Sequence, residues 1–266
     1  EFSFLDIAKG KPLNEIKGIT YKEGDKITQN PEAPRLELKD IPWPARHLFP
    51  IEKYDTNLEG VKNLKCLSIM TSRGCPFRCT FCDIKSFWGF AYRKREPMDV
   101  VNEIEHIVNT YNIRGFDIWD DTFTIDKEHV KNICNEIIKR KLDIKFYVRT
   151  RVDTINRETL ELMKKAGCTS ISFGVESGSP RILKVIKKYV TLEEVDKGVK
   201  MADELGFFIK TFFLFNHPTE TFKDVAMTLK FMAHLNQYKN HFAVSNISTY
   251  IYPKTDVERY AKEIGM

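Results

Sequence analysis

From about residue 64 onward, short runs rich in β-branched and aromatic residues alternate with stretches of helical period, and that alternation leaves few folds open. The strand candidates are 65–70, 115–119, 144–148, 170–175, 208–215 and 243–252. Between them, Val100, Ile104, Ile107 and Tyr111 recur at helical spacing after Pro97, and Val130, Ile133 and Ile137 do so after Asp126. Thr191-Leu-Glu-Glu194 has the form of a capping box, and its helix stops at Gly206. Phe222, Val225, Leu229, Met232 and Leu235 mark another helix. Six strands alternating with six helices imply parallel, right-handed βαβ crossovers, closed as a (β/α)6 partial barrel or left as an open sheet. In either architecture, function gathers at the C-terminal ends of the strands.

Residues 1–64 read differently. Six of the 11 prolines fall in the first 50 residues, and the stretch 31–44 reads as an extended connector. Before it, residues 18–28 suggest a hairpin turning at Gly24. This segment is expected to be the tail of a preceding domain plus a proline-rich linker, with the barrel occupying 65–266. The 266 residues carry 42% hydrophobic and 30% charged residues, an ordinary globular balance. No apolar run approaches the ~18 residues that span a bilayer, and no N-terminal stretch has the order of a signal peptide. The net charge of +5 is mild and spread along polar faces, so nucleic-acid binding is not indicated.

One motif carries chemistry. Cys75, Cys79 and Cys82 have CxxxCxxC spacing in a stretch loosened by Gly74 and Pro76. Three thiolates leave one position of a metal centre open. An iron–sulfur cluster is favoured; a zinc site on the same three thiolates or three unrelated thiols are the alternatives, and no second CxxC supports zinc. Thiols that bind metal must be reduced, which points to a cytoplasmic setting. Cys66, Cys134 and Cys168, on strand, helix and loop, read as small buried hydrophobes. With Phe81 before its last Cys, the motif resembles the signature of the radical S-adenosylmethionine (radical SAM) superfamily. That resemblance implies a three-quarter TIM-type barrel, a [4Fe–4S] cluster on the three Cys, and SAM bound at the open iron. It further implies cleavage of SAM to a 5′-deoxyadenosyl radical that takes a hydrogen atom from substrate, and Phe81 near the SAM adenine.

The strand ends supply further candidates. Strand two ends in Asp120-Asp121, adjacent carboxylates that are costly to place together unless they bind donors or cations. The resemblance puts the SAM ammonium there, although Asp121 also reads as a solvated turn. Arg149 and Arg151 end strand three; each either forks onto the SAM carboxylate or pairs with Asp120, Asp121 or Glu176 across the mouth. Glu176 follows buried-looking residues and needs a partner, either ribose hydroxyls or a neighbouring Arg. Among the six histidines, His217 is the one to watch.

Trp88-Gly89 with Arg93 and Arg95, Trp119-Asp-Asp-Thr-Phe123, Gly174-Val-Glu-Ser-Gly-Ser179 and Pro218-Thr-Glu-Thr221 resemble the radical SAM branch that carries an N-terminal cobalamin-binding domain. The resemblance spans about 60–255. It implies methyl transfer, cyclisation or C–C bond formation on a small-molecule or lipid-like substrate, a reductant such as flavodoxin or ferredoxin, and cobalamin held by a domain outside this chain. No Asp-x-His-x-x-Gly cobalamin motif occurs. Where the branch has glycines, this chain has Asn216, Thr219 and Lys254, which suggests a reshaped mouth. Asn216 is thus a doubtful cofactor contact, while Lys254 and Tyr250 become candidate catalytic groups. An RNA-modifying radical enzyme and a non-catalytic iron–sulfur or zinc domain are the competing readings.

Overall fold

The computed structural model describes residues 2–246 and 249–265, and the chain divides into two compact units, Glu1–Pro44 and Ala45–Met266. In the first, a short helix, Phe2–Ala8, precedes a hairpin in which Thr20–Glu23 pairs antiparallel with Lys26–Gln29. Gly24 turns that hairpin at φ 59°, in the left-handed region where glycine carries no Cβ penalty. The Asn30 amide donates to the carbonyls of Leu13 and Ile16 at 2.6 and 2.7 Å and fastens the unit's loop.

The expected boundary after residue 64 falls instead at Pro44. Side chains explain why residues 45–64 belong with the barrel. Arg46, 8% exposed, donates to Glu103 at 2.6 Å and to the Ser68 carbonyl at 3.0 Å. Arg95 donates to the other oxygen of Glu103 at 2.5 Å, so one buried carboxylate is shared by two guanidinium groups.

The second unit is built on six parallel strands: β1 (Cys66–Ile69), β2 (Gly115–Ile118), β3 (Lys145–Thr150), β4 (Cys168–Glu176), β5 (Phe208–Leu214) and β6 (His241–Asn246). The sheet order is β6-β5-β4-β3-β2-β1, and every neighbouring pair is parallel. Strictly sequential order with right-handed crossovers puts all helices on one face, and the sheet curls away from them as a partial TIM-type barrel. The connecting helices are α1 (Pro97–Tyr111), α2 (Lys127–Lys139), α3 (Arg157–Lys165), α4 (Leu192–Glu204) and α5 (Phe222–Leu235), with α6 (Asp256–Glu263) last.

Local sequence accounts for these elements. Asp126 caps α2 by accepting from His129 N at 3.0 Å, and Val130, Ile133, Cys134 and Ile137 form its buried stripe. The capping box at α4 is complete: Thr191 N donates to Glu194 at 2.8 Å, and Glu194 N donates to Thr191 at 3.1 Å. Two readings shift. Cys168 opens β4 instead of lying in a loop. Strand six covers 241–246; residues 249–252 are not strand, and 247–248 lie outside the described residues. Among the described residues, no helix is long and apolar enough to cross a membrane.

Candidate functional site

The cysteine loop leaves β1 through a short antiparallel ribbon, Ser72–Arg73 against Arg93–Lys94. Asp120, just past β2 and 2% exposed, clamps the neck of this loop. Its Oδ1 accepts from the backbone N of Thr71 and Ser72 at 2.7 and 3.0 Å, and its Oδ2 accepts from their hydroxyls at 2.5 and 2.6 Å. Four donors satisfy a carboxylate whose burial pushes its pKa up. Asp121 continues the clamp by accepting from Gly74 N at 2.9 Å. Gly74 has φ 91°, and a Cβ there would lie 2.2 Å from the Ala91 carbonyl oxygen, so the loop admits no larger residue.

The three thiols hang below this neck. Cys75 Sγ lies 3.8 Å from the Thr122 hydroxyl, and Arg151 Nη1 donates to Cys79 Sγ at 3.7 Å. Cys82 N donates to the Cys79 carbonyl at 3.2 Å. Burial raises the Cys75 thiol and pushes the Cys82 thiol up to about 12, a burden that metal ligation removes by binding the thiolate. All six cysteines are free.

A cavity of about 220 Å³ opens between the loop and the ends of the strands. The three Cys, Phe81, Asp121, Arg149, Arg151 and Glu176 all line it. So do Thr122, Ser172, Lys188 and Phe212. Asp120, Asn216, Tyr250 and Lys254 do not. Asp120 is therefore corrected from a SAM contact to a clamp of the loop, because both of its oxygens are already spent. Tyr250 is 67% exposed, and Lys254 is exposed with its N–H held by Glu258 at 2.7 Å. Asn216, also exposed, donates its N–H to Glu220 at 2.6 Å.

The arginines find partners other than those expected. Arg149 donates to Asp117 at 2.7 and 3.2 Å and lies over the rings of Trp119 and Tyr147. Arg151 forks onto Asp153. Glu176 sits at φ 75°, just past a register shift in the β4–β5 pairing, and both devices re-aim its side chain. Its protein partner is Lys188 Nζ at 3.1 Å, not a neighbouring Arg. Gly174 makes room for the pair: a Cβ there would lie 2.4 Å from the Glu176 carboxylate and 3.0 Å from the Lys188 ammonium. Lys188 is 5% exposed, and no local sequence pattern marks it among the many surface lysines. Of the strand-five phenylalanines, Phe212 reaches the cavity, whereas Phe207 and Phe213 are fully buried in the core.

His217 is 3% exposed, with its Nδ1 3.2 Å from the Thr249 hydroxyl and its ring 6.1 Å from that of Phe81. Burial pulls its pKa down to about 4. It belongs to a turn closed by Glu220 N donating to the His217 carbonyl, with Pro218 followed by Thr219 at φ 71°. Pro253 and Lys254, at φ 67°, repeat that form. Both are the type II arrangement that favours glycine at the third position.

The donor set fits a cubane cluster. Soft sulfurs from one loop line a single cavity, and a guanidinium N–H faces one of them. Among the described residues, no three His, Cys, Asp or Glu side chains converge tightly enough for one ion. The cavity also sets the Asp121 carboxylate and the Lys188–Glu176 pair around one space, which suits a zwitterionic ligand.

Residues 69–232 match the family model of the radical SAM superfamily, and the chain belongs to that family. It is 34% identical over 256 residues to an uncharacterized methyltransferase of Pyrococcus horikoshii, covering 96% of this chain and 54% of that relative. An anaerobic magnesium-protoporphyrin IX monomethyl ester cyclase of Cereibacter sphaeroides is 32% identical over 212 residues, covering 78% of this chain and 34% of the relative. Thus the chain spans about half or less of these relatives' lengths. Among solved structures, the radical SAM methyltransferase TsrM of Kitasatospora setae with cobalamin and a [4Fe–4S] cluster superposes at TM-score 0.75 with 21% identity. That match covers 98% of this chain and 51% of TsrM. The cobalamin-dependent radical enzyme OxsB gives TM-score 0.72 at 24% identity, covering 99% of this chain and 38% of that one. These two likenesses establish the fold.

Proposed function

We propose that this chain is the catalytic core of a radical SAM enzyme that carries out methyl transfer or cyclisation on a small-molecule substrate. The observation that carries the reading is a single cavity lined at once by the three motif thiols, an acidic residue and a buried cation–carboxylate pair. Cys75, Cys79 and Cys82 would hold the cluster. When bound, a [4Fe–4S] cluster supplies the electron for reductive cleavage of SAM to methionine and a 5′-deoxyadenosyl radical.

The protein's own groups bind and orient. Asp121 spends one oxygen on Gly74 N and keeps the other for the SAM ammonium. Lys188 takes the SAM carboxylate, since Arg149 and Arg151 are committed to Asp117 and Asp153. Glu176 accepts from the ribose hydroxyls, and Phe81 and Phe212 offer apolar walls to the adenine. A flavodoxin- or ferredoxin-type reductant, a reducing cytoplasmic setting, a cobalamin-binding partner domain and a lipid-like substrate complete the proposal, which relatives of this kind motivate.

Anaerobic reconstitution tests it: the chain should take up about four irons, bind SAM, and release 5′-deoxyadenosine on reduction with dithionite. Cys79→Ala should lose all three properties. A cluster-loaded chain that never cleaves SAM, or a fully active Cys79→Ala variant, would sink the reading.

A further inference from the structure

Arg151 is 4% exposed, and its guanidinium is held on nearly every side. Nε and Nη2 donate to the two oxygens of Asp153 at 2.9 and 2.8 Å. Nη2 also donates to the Lys188 carbonyl at 2.8 Å, and the plane rests 3.7 Å from the ring centroid of Phe77. Of five guanidinium protons, three are thereby fixed, and a fourth points from Nη1 to Cys79 Sγ at 3.7 Å. A buried arginine clamped this firmly cannot swing away to follow a ligand.

We propose that Arg151 is a positioning residue that sets the reduction potential of the cluster by donating to the sulfur of Cys79. This rests on the radical SAM reading above. A hydrogen bond and a positive charge at a ligand sulfur stabilise the more negative, reduced form and so raise the potential. The Asp153 clamp keeps the donor aimed, and Phe77 holds the plane from below. Through the Lys188 backbone, the same group ties a cluster ligand to the Lys188–Glu176 pair of the cavity. The sequence left Arg151 between a SAM contact and an ion pair across the mouth; the geometry points to Asp153 and to the protein's own sulfur instead.

The test is an EPR-monitored redox titration of the reconstituted full chain, without SAM, comparing wild type with Arg151→Gln, Arg151→Lys and Asp153→Asn. Arg151→Gln should lower the one-electron reduction equilibrium about tenfold, which is about 59 mV more negative. Arg151→Lys, which keeps the charge but loses the fork, should recover part of the shift, and Asp153→Asn, which leaves the guanidinium charge uncompensated, should move the potential the opposite way by less. An Arg151→Gln cluster with wild-type potential and EPR signature overturns the inference. Should Arg151→Gln fail to hold its cluster, an unshifted potential in Asp153→Asn overturns it equally. A wild-type chain that assembles no cluster overturns the parent reading and this inference with it, an outcome distinct from a cluster of unshifted potential.

Discussion

The ends of β1 to β4 and the ends of β5 and β6 are held differently, although Glu176 on the first side also takes a positive φ. On the first side, the cysteine loop is held by bonds from the strand ends: buried Asp120 on Thr71 and Ser72, half-buried Asp121 on Gly74, and buried Arg151 on Cys79. On the second side, two exposed turns carry Thr219 and Lys254 at positive φ, where a side chain is strained. The loop that carries the three motif thiols is thus pinned at several points by these bonds. On the second side, side chains are added at the rim at positive φ.

The largest effect should come from breaking the clamp. Asp120→Ala would strand two backbone N–H groups and two hydroxyls in the interior, at about 1–3 kcal/mol for each group left unsatisfied. A loss of roughly 3 kcal/mol or more is expected in denaturant unfolding, together with failure to retain iron. An alanine variant of wild-type stability and iron content would remove the distinction between the two sides.

Acidification gives the next effect. His129, His217 and His241 are each held neutral, with pKa pulled to about 4 by burial from an ordinary 6.5. Their folded pKa lies below the unfolded one, so between pH 6.5 and 4 the unfolded chain binds more protons. Stability is therefore complete above about pH 6.5 and falls as pH drops, by roughly 1–2 kcal/mol per histidine at pH 5. Denaturant midpoints at pH 7.5 and 5 check this, and His217→Gln should flatten the dependence.

The smallest effect belongs to the strained turns. Thr219→Gly should raise stability by about 1 kcal/mol and Lys254→Gly by about half that, since relief of the left-handed penalty outweighs glycine's extra unfolded entropy. The β-branched residue should gain more. Thermal unfolding of the two variants reads the order; destabilisation in both would mean that these side chains hold the turns together.

Legibility in the sequence followed the range of the interactions. The cysteine motif is contiguous, and strand and helix periods are local, so the three thiols and the alternating βα units could be read directly, while the choice of a barrel over an open sheet came from the family resemblance. Asp120 and Asp121 are neighbours of one type, and only the fold reveals that one is wholly spent on Thr71 and Ser72 while the other borders the cavity. Lys188 reaches the site because a short helix, Pro180–Val185, ends just before it, and nothing in its neighbourhood distinguishes it from surface lysines. The boundary at Pro44 depends on Arg46 meeting Glu103, a partner too distant in sequence for proline content to signal. The three replaced glycines were legible as positions: Asn216, Thr219 and Lys254 all keep positive φ. Their effect, two turns with side chains added at the rim, is a property of the backbone.

The central claim is that one cavity serves both the cluster and SAM. Calorimetric titration of SAM into the anaerobically reconstituted chain tests it most directly, with Lys188→Met as the comparison. The account predicts a wild-type chain that binds SAM one to one and a Lys188→Met chain that keeps its cluster yet binds SAM at least about tenfold more weakly, a loss of about 1.4 kcal/mol. Equal affinity in the two cluster-loaded proteins, or no SAM binding by the wild type, would contradict it.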